Sequence, residues 1–179
     1  MEHKGTVRLE TERLILRRVT MTDVEPAFKN WVTDERVTRF LTWQPHESVA
    51  VTEQVFRAWV ENYSSEEHYL WAIVPKDLGE PIGTISGVRI FNEEERIDMG
   101  YCIGYDFWGK GYVAEALKRI IEFFFTEVKA KRIVALHDKN NPNSGRVMQK
   151  AGMKYFATLP QCGTNNQGRV DLVAYEILK

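Results

Sequence analysis

Two short stretches hold residue types that do chemistry. In 108-WGKGYV-113 two glycines flank Lys110, and a helical pattern begins at once. Free N–H groups at a helix start point outward, and the helix dipole favours negative charge there. Glycine removes the side chain that would keep an anion away. The stretch therefore reads as a cradle for a phosphate group. A Walker loop is excluded, because Gly111 stands where that loop needs Ser or Thr for Mg²⁺. The dinucleotide fingerprint fits poorly: position 114 is alanine, and hairpin strands precede the glycines where that fold opens with a parallel βαβ unit. A plain strand-to-helix turn is the competing explanation.

The second stretch is 137-HDKNNPNSGRVMQKAGM-153. Asn141 suits an N-cap, Pro142 the first helical position and Gly152 the C-terminal stop. Helix chemistry alone accounts for those three. It does not account for Ser144, whose hydroxyl falls in the first turn and either serves the helix start or faces a ligand.

The elements that must hold these residues follow from periodicity. Arg13 to Val19 alternates as a first strand, and Thr22 and Asp23 cap a helix through Trp31. Glu47 to Tyr63 is a second helix, and Tyr69 to Val74 a strand. Pro81 to Phe91 and Ile97 to Tyr105 are two strands around the acidic turn NEEER. Val113 to Val128 is a long helix, Arg132 to His137 a buried strand and Asn141 to Ala151 a helix. Met153 to Pro160 and Arg169 to Leu178 are the last strands, joined by CGTNNQG. The order is β-α-α-β-β-β-α-β-α-β-β. It describes one α/β domain over residues 1–179, with a mixed, mostly antiparallel sheet and helices on both faces.

Taken together, WGKGYV, the NxxS helix start, the trailing KAGM and the opening TERLILRRV resemble the GCN5-related N-acetyltransferase (GNAT) family, more narrowly its RimJ/RimL-type branch. The resemblance spans Thr11 to Lys179. It implies a GNAT-like sheet and an acetyl-CoA-dependent transfer of an acetyl group to a primary amine. It places the cosubstrate's pyrophosphate on the backbone of Trp108, Gly109, Lys110, Gly111, Tyr112 and Val113. It places the pantetheine arm along a splayed strand at Cys102 and Ile103, with Asn141 touching that arm and Ser144 near the thioester sulfur. The branch suggests a peptide N-terminus as acceptor, while relatives of this type also acetylate antibiotics, polyamines and amino acids; a non-catalytic acyl-CoA-binding module on the same fold is the other alternative. Two departures stand out. The loop ends in Val113 where Gly or Ala is usual, and Met148 stands where many members carry a tyrosine acid.

The implied reaction is direct attack of the amine on the thioester. The leaving thiolate is a moderate base, with a reference thiol pKa of about 8.5. The weak hydroxyl acid of Ser144, or a bound water, is therefore enough. Asp98, on the strand before the loop, is the candidate base. Glu94, Glu95 and His68 compete with it, each readily explained as a solvated surface group. Cys102 is expected to line the site without acting as a nucleophile. Trp31, Phe40, Trp43, Trp59 and Tyr63 are candidates for an acceptor wall or for plain core.

Composition limits the alternatives. With 44% hydrophobic residues the chain can build a sizeable core, and a net charge of −1 argues against a nucleic-acid binder. Cys102 and Cys162 show no metal-ligand or disulfide spacing, so no metal is expected. No apolar run is long enough to span a bilayer, and the charged N-terminus lacks a signal core. These features suggest a cytoplasmic protein without a membrane partner. A homodimer is an option by family analogy alone.

Overall fold

The computed structural model describes residues 1–179. Its strands are β1 (Leu9–Glu10), β2 (Leu14–Arg17), β3 (Tyr69–Pro75), β4 (Gly83–Phe91), β5 (Arg96–Ile103), β6 (Arg132–Asp138), β7 (Lys154–Asn165) and β8 (Gly168–Leu178). They form one sheet in the order β1-β2-β3-β4-β5-β6-β8-β7. Every neighbouring pair is antiparallel except β5–β6, which is parallel. The helices are α1 (Val24–Ala27), α2 (Glu35–Thr38), α3 (Val49–Asn62), α4 (Tyr112–Thr126) and α5 (Pro142–Lys150). The mixed, mostly antiparallel sheet with helices on both faces matches the architecture expected of the sequence.

Side-chain alternation explains why the sheet takes helices on two sides. On β3, Tyr69, Trp71 and Ile73 point to the α4 face, while Leu70, Ala72 and Val74 point to the α1–α3 face. Every residue of that strand is buried. On α4, Val113, Ala116, Leu117, Ile120, Ile121, Phe123 and Phe124 recur at helical spacing and bury against the sheet. Trp71 sits at the centre of this core. Its ring lies edge-on to Phe123 and Phe124, and its indole N–H donates to the Val7 carbonyl at 2.6 Å.

Three local readings need correction. The helix expected from Thr22 to Trp31 is irregular: a 3-10 turn at Met21–Asp23 leads into α1 and then a π stretch at Phe28–Val32. Pro26 supplies no N–H to its first turn. Thr20, not Thr22, is the N-cap, and the Asp23 carboxylate accepts the Thr20 N–H at 2.8 Å while pairing with Arg17. The short β1 and α2 had no clear periodicity and were not anticipated. The stretch CGTNNQG is mostly strand, because β7 runs on to Asn165 and turns over two residues. Tertiary bonds consume its turn-forming side chains: the Asn166 amide donates to the carbonyls of Thr38 and Trp43, at 2.9 and 2.7 Å.

Replacing Trp71 by Ala empties a fully enclosed site and should cost about 3–5 kcal/mol. Urea denaturation should show this as a lower midpoint. The exposed Val88, truncated to Ala in parallel, should change stability by less than about 0.5 kcal/mol.

Candidate active site

The site begins where two strands part. β5 and β6 pair from Arg96↔Arg132 to Met99↔Ala135 and no further. β5 stays on β4 as far as Ile103, and β6 stays on β8 as far as Asp138. The gap between them opens a cavity of about 440 Å³ that reaches both faces of the sheet. Tyr101, Ile103 and His137 lie on the α4–α5 side. Cys102, Leu136 and Asp138 alternate to the other side, where Val37, Phe40 and Leu41 of the α2 region close the wall.

The backbone of the open edge is directional. The Gly104 N–H donates to the Ile82 carbonyl beside β4. Alternation then turns the backbone groups of Tyr101 and Ile103 toward the gap. Consistent with this, the Ile103 carbonyl takes no strand partner and accepts the Trp108 indole N–H at 2.9 Å. The Cys102 carbonyl lies instead against Gly83 of β4. Its side chain reaches Thr84 Oγ1 at 3.5 Å, and burial pushes the thiol up, so it remains protonated.

At one end of the gap the glycine loop enters α4. Gly109 and Gly111 hold φ of +77° and +82°, a left-handed backbone that side chains with a Cβ rarely adopt. Gly111 is the N-cap of α4 and makes no side-chain cap, so the first N–H groups of the helix stay free. Trp108, Gly109, Gly111, Tyr112 and Val113 all line the cavity. Lys110 does not. Its ammonium sits 5.2 Å from the Phe107 ring centre, and its carbonyl is held from outside.

That outside hold comes from Arg13, just ahead of β2. Arg13 donates to the Lys110 carbonyl at 3.0 Å and to Glu115 Oε2 at 2.7 Å, and stacks over Tyr112. Glu115 also accepts Thr11 Oγ1–H at 2.5 Å and the Arg13 N–H at 3.0 Å. Burial alone would raise the Glu115 carboxyl, but the bonds from Thr11 and Arg13 leave it below its ordinary range. The TER segment is thus a strap across the glycine loop. Arg13 and Glu115 are 102 positions apart, so no local pattern could have shown it.

At the other end, α5 begins. Asn141 holds the N-cap position but makes no side-chain capping bond, so its amide is left over, and it lines the cavity. Ser144 lies one turn on. Its Oγ is 2.9 Å from the Tyr101 hydroxyl, which also donates to the Ser144 carbonyl at 3.0 Å. Burial pushes the Tyr101 phenol far up, and the Ser144 bond offsets only part of that, so Tyr101 stays a neutral O–H. Met148 points the other way and is buried in the core. α5 is seated close to β6: a Cβ on Gly145 would lie 2.7 Å from His137 Nε2.

Other anticipated residues lie elsewhere. Asp98 is buried and bonded to Arg96 at 2.9 Å, on the paired part of β5, and does not line the cavity. Burial raises its carboxyl, with Arg96 and neighbouring arginines opposing. Glu94 and Glu95 pair with Arg96 and Lys131 at the hairpin turn. His68 lies beside Tyr63, and burial lowers its imidazole. Of the five aromatics, only Phe40 reaches the cavity. Trp31 is enclosed against Phe56, and Trp43, Trp59 and Tyr63 pack on the same cluster, so they are core. No group of three or more acidic, His or Cys side chains is arranged to hold a metal ion. No helix is long and apolar enough to cross a membrane.

Comparison with known proteins agrees with this geometry. Residues 13–154 match the acetyltransferase (GNAT) domain family. An uncharacterized N-acetyltransferase, YoaA of Bacillus subtilis, is 30% identical over 171 residues, covering 96% of each chain. A GNAT-family acetyltransferase from Bacillus anthracis superposes with a TM-score of 0.84 at 23% identity, over 96% of this chain and 98% of that one. RimL, a ribosomal L7/L12 alpha-N-protein acetyltransferase solved with coenzyme A, superposes with a TM-score of 0.85 at 16% identity, over 96% and 98%. With the parted strands, the glycine-capped α4 and these relatives on record, the chain belongs to the GNAT family of acetyltransferases.

Proposed function

We propose that this acetyltransferase moves the acetyl group of acetyl-CoA onto a primary amine, with a peptide N-terminus as the acceptor. The observation that carries the reading is the single cavity where the open β5 edge, the free N–H groups of α4 and the unused Asn141 amide meet. Those groups fit the parts of acetyl-CoA in order. The loop from Trp108 to Val113 would hold the pyrophosphate through backbone N–H groups. Tyr101 and Ile103 would pair their backbone with the amides of the pantetheine arm, and Asn141 would bond it from the α5 side. A backbone N–H at the parted strand would stabilise the oxyanion.

Ser144 is the acid in this reading. Ser144 and Tyr101 each have one hydroxyl proton. Tyr101 has one proton for two acceptors, the Ser144 carbonyl and Ser144 Oγ; when it goes to Oγ, the Ser144 proton is free to turn into the cavity toward a leaving sulfur. Such a donor contributes about 10²-fold or less here, and positioning supplies most of the rate. A small amine is a second reading of the acceptor. It is favoured by the β7–β8 tip, which Asn166 ties across the α2–α3 connection beside Phe40 and Leu41. Thiol release from acetyl-CoA with a panel of peptides and small amines, followed by the product mass, tests the function. Acetyl-CoA binding without release for any amine would overturn it.

Three substitutions probe the parts. Gly111→Val forces a β-branched residue into a left-handed backbone, and acetyl-CoA should then no longer raise the melting temperature. Normal stabilisation by acetyl-CoA would contradict the loop assignment. Arg13→Ala unties the strap. It should raise the KM for acetyl-CoA about tenfold, in line with the loss of a charge-assisted bond, and leave kcat within about twofold. Ser144→Ala should lower kcat by about 10²-fold or less. Unchanged turnover would remove Ser144 from the acid role.

A further inference from the structure

We propose that Asp138 receives the acceptor amine: its carboxylate binds the incoming ammonium and takes the proton that frees the nitrogen lone pair. This rests on the amine-acetylation reading above. Asp138 is the last residue of β6, three positions past the final β5–β6 pair, on the cavity side opposite α5. It is only 4% exposed. Its oxygens accept one neutral bond each, Oδ1 from the Asn140 N–H and Oδ2 from the Asn165 amide, both at 2.8 Å. An ionised carboxylate has about four acceptor positions, so half its capacity is unfilled.

No Lys, Arg or His side chain pairs with this carboxylate within 4 Å, although Arg36, Arg146 and Lys150 line the same cavity. Arg36 shares the cavity, but Asp34 binds its guanidinium. Arg146 is turned to Asn143, and Lys139 lies nearest Asp171. A buried carboxylate without a counter-charge is costly to maintain. A ligand bearing an ammonium group would supply that charge in the cavity itself. Asp138 also shares the side of the sheet occupied by Cys102 and Phe40, away from α5 and the Ser144 hydroxyl. Base and acid therefore approach the reacting carbon from opposite faces.

The step balances. One ammonium proton moves to an Asp138 oxygen. The freed lone pair forms the C–N bond at the thioester carbonyl, and the C–S bond breaks as the carbonyl re-forms. Of the two N–H protons lost in making the amide, one sits on Asp138 before passing to solvent. The other passes through water to Ser144 Oγ and replaces the proton that Ser144 gave to sulfur. Ammonium and thioester give amide, thiol and one proton.

The test uses the amine that the wild-type protein turns over fastest in the thiol-release panel. Asp138→Asn keeps an oxygen for the Asn140 N–H and deletes the charge. It should lower kcat/KM for that amine by about 10²-fold or more while leaving the Kd for acetyl-CoA unchanged. In Asp138→Ala, added formate should restore at least about fivefold of the lost rate by supplying a carboxylate in the vacated space. Activity of Asp138→Asn within about twofold of wild type would overturn the assignment. So would a loss that formate does not rescue, or one that comes with weakened acetyl-CoA binding, since either marks a turn-building role. A wild-type protein inert toward every amine fails at the parent reading and takes Asp138 with it. Turnover that ignores Asp138 defeats this inference alone.

Discussion

The whole site depends on the strands β5 and β6 parting after Met99 and Ala135. Each strand keeps its other neighbour beyond that point, so the sheet stays intact while one seam opens. Backbone groups along an open seam must find partners, because an unpaired buried N–H or C=O is expensive. One of them, the Ile103 carbonyl, is already taken by Trp108. The rest form an edge suited to an extended ligand with amides of its own. A cavity between two strands also differs from a surface groove in reaching both faces of the sheet, so two reactants can enter from opposite sides.

Two helix starts flank the seam, and each is built to leave polar groups free. Gly111 caps α4 with a left-handed backbone and no side chain, leaving the first N–H groups unclaimed. Asn141 occupies the N-cap of α5 without spending its amide on the helix. Both positions forgo the local stabilisation of a bonded cap, about a few tenths of a kcal/mol for a glycine and about 1 kcal/mol for an unused asparagine. The Arg13–Glu115 strap then pins the loop from outside, and the Tyr101–Ser144 pair links the first turn of α5 to the open strand. Cavity walls drawn from five separate elements are held by a few specific bonds that cross long stretches of chain.

What reached the sequence level was whatever repeats locally. β3, α3, α4 and α5 have periodic apolar residues, and the order of elements followed from them. The glycines of WGKGYV and the Asn141–Ser144 spacing announced themselves because helix starts have strong residue preferences. The irregular segment after Thr20, the short β1 and α2, and the long β7–β8 hairpin did not. Their form is decided by partners far away: Arg17 for Asp23, β2 for β1, and the Thr38 and Trp43 carbonyls for Asn166. The aromatics of the first helices illustrate the same limit. Helical spacing showed that they face inward, but only packing separated Phe40 at the cavity from Trp31 in the core.

The sequence alone therefore determined the class of fold, the left-handed glycine loop and the two helix starts that frame the cavity, because backbone conformation and helix capping are local properties. Tertiary structure decided which side chains meet there. It set Tyr101 beside Ser144 across 43 residues and Arg13 beside Glu115 across 102. It kept Asp98 in the paired sheet with Arg96 and placed Asp138 on the cavity. Those outcomes depend on where a strand stops pairing and which way its side chains alternate from that point, and sheet register is a long-range property that no window of sequence contains.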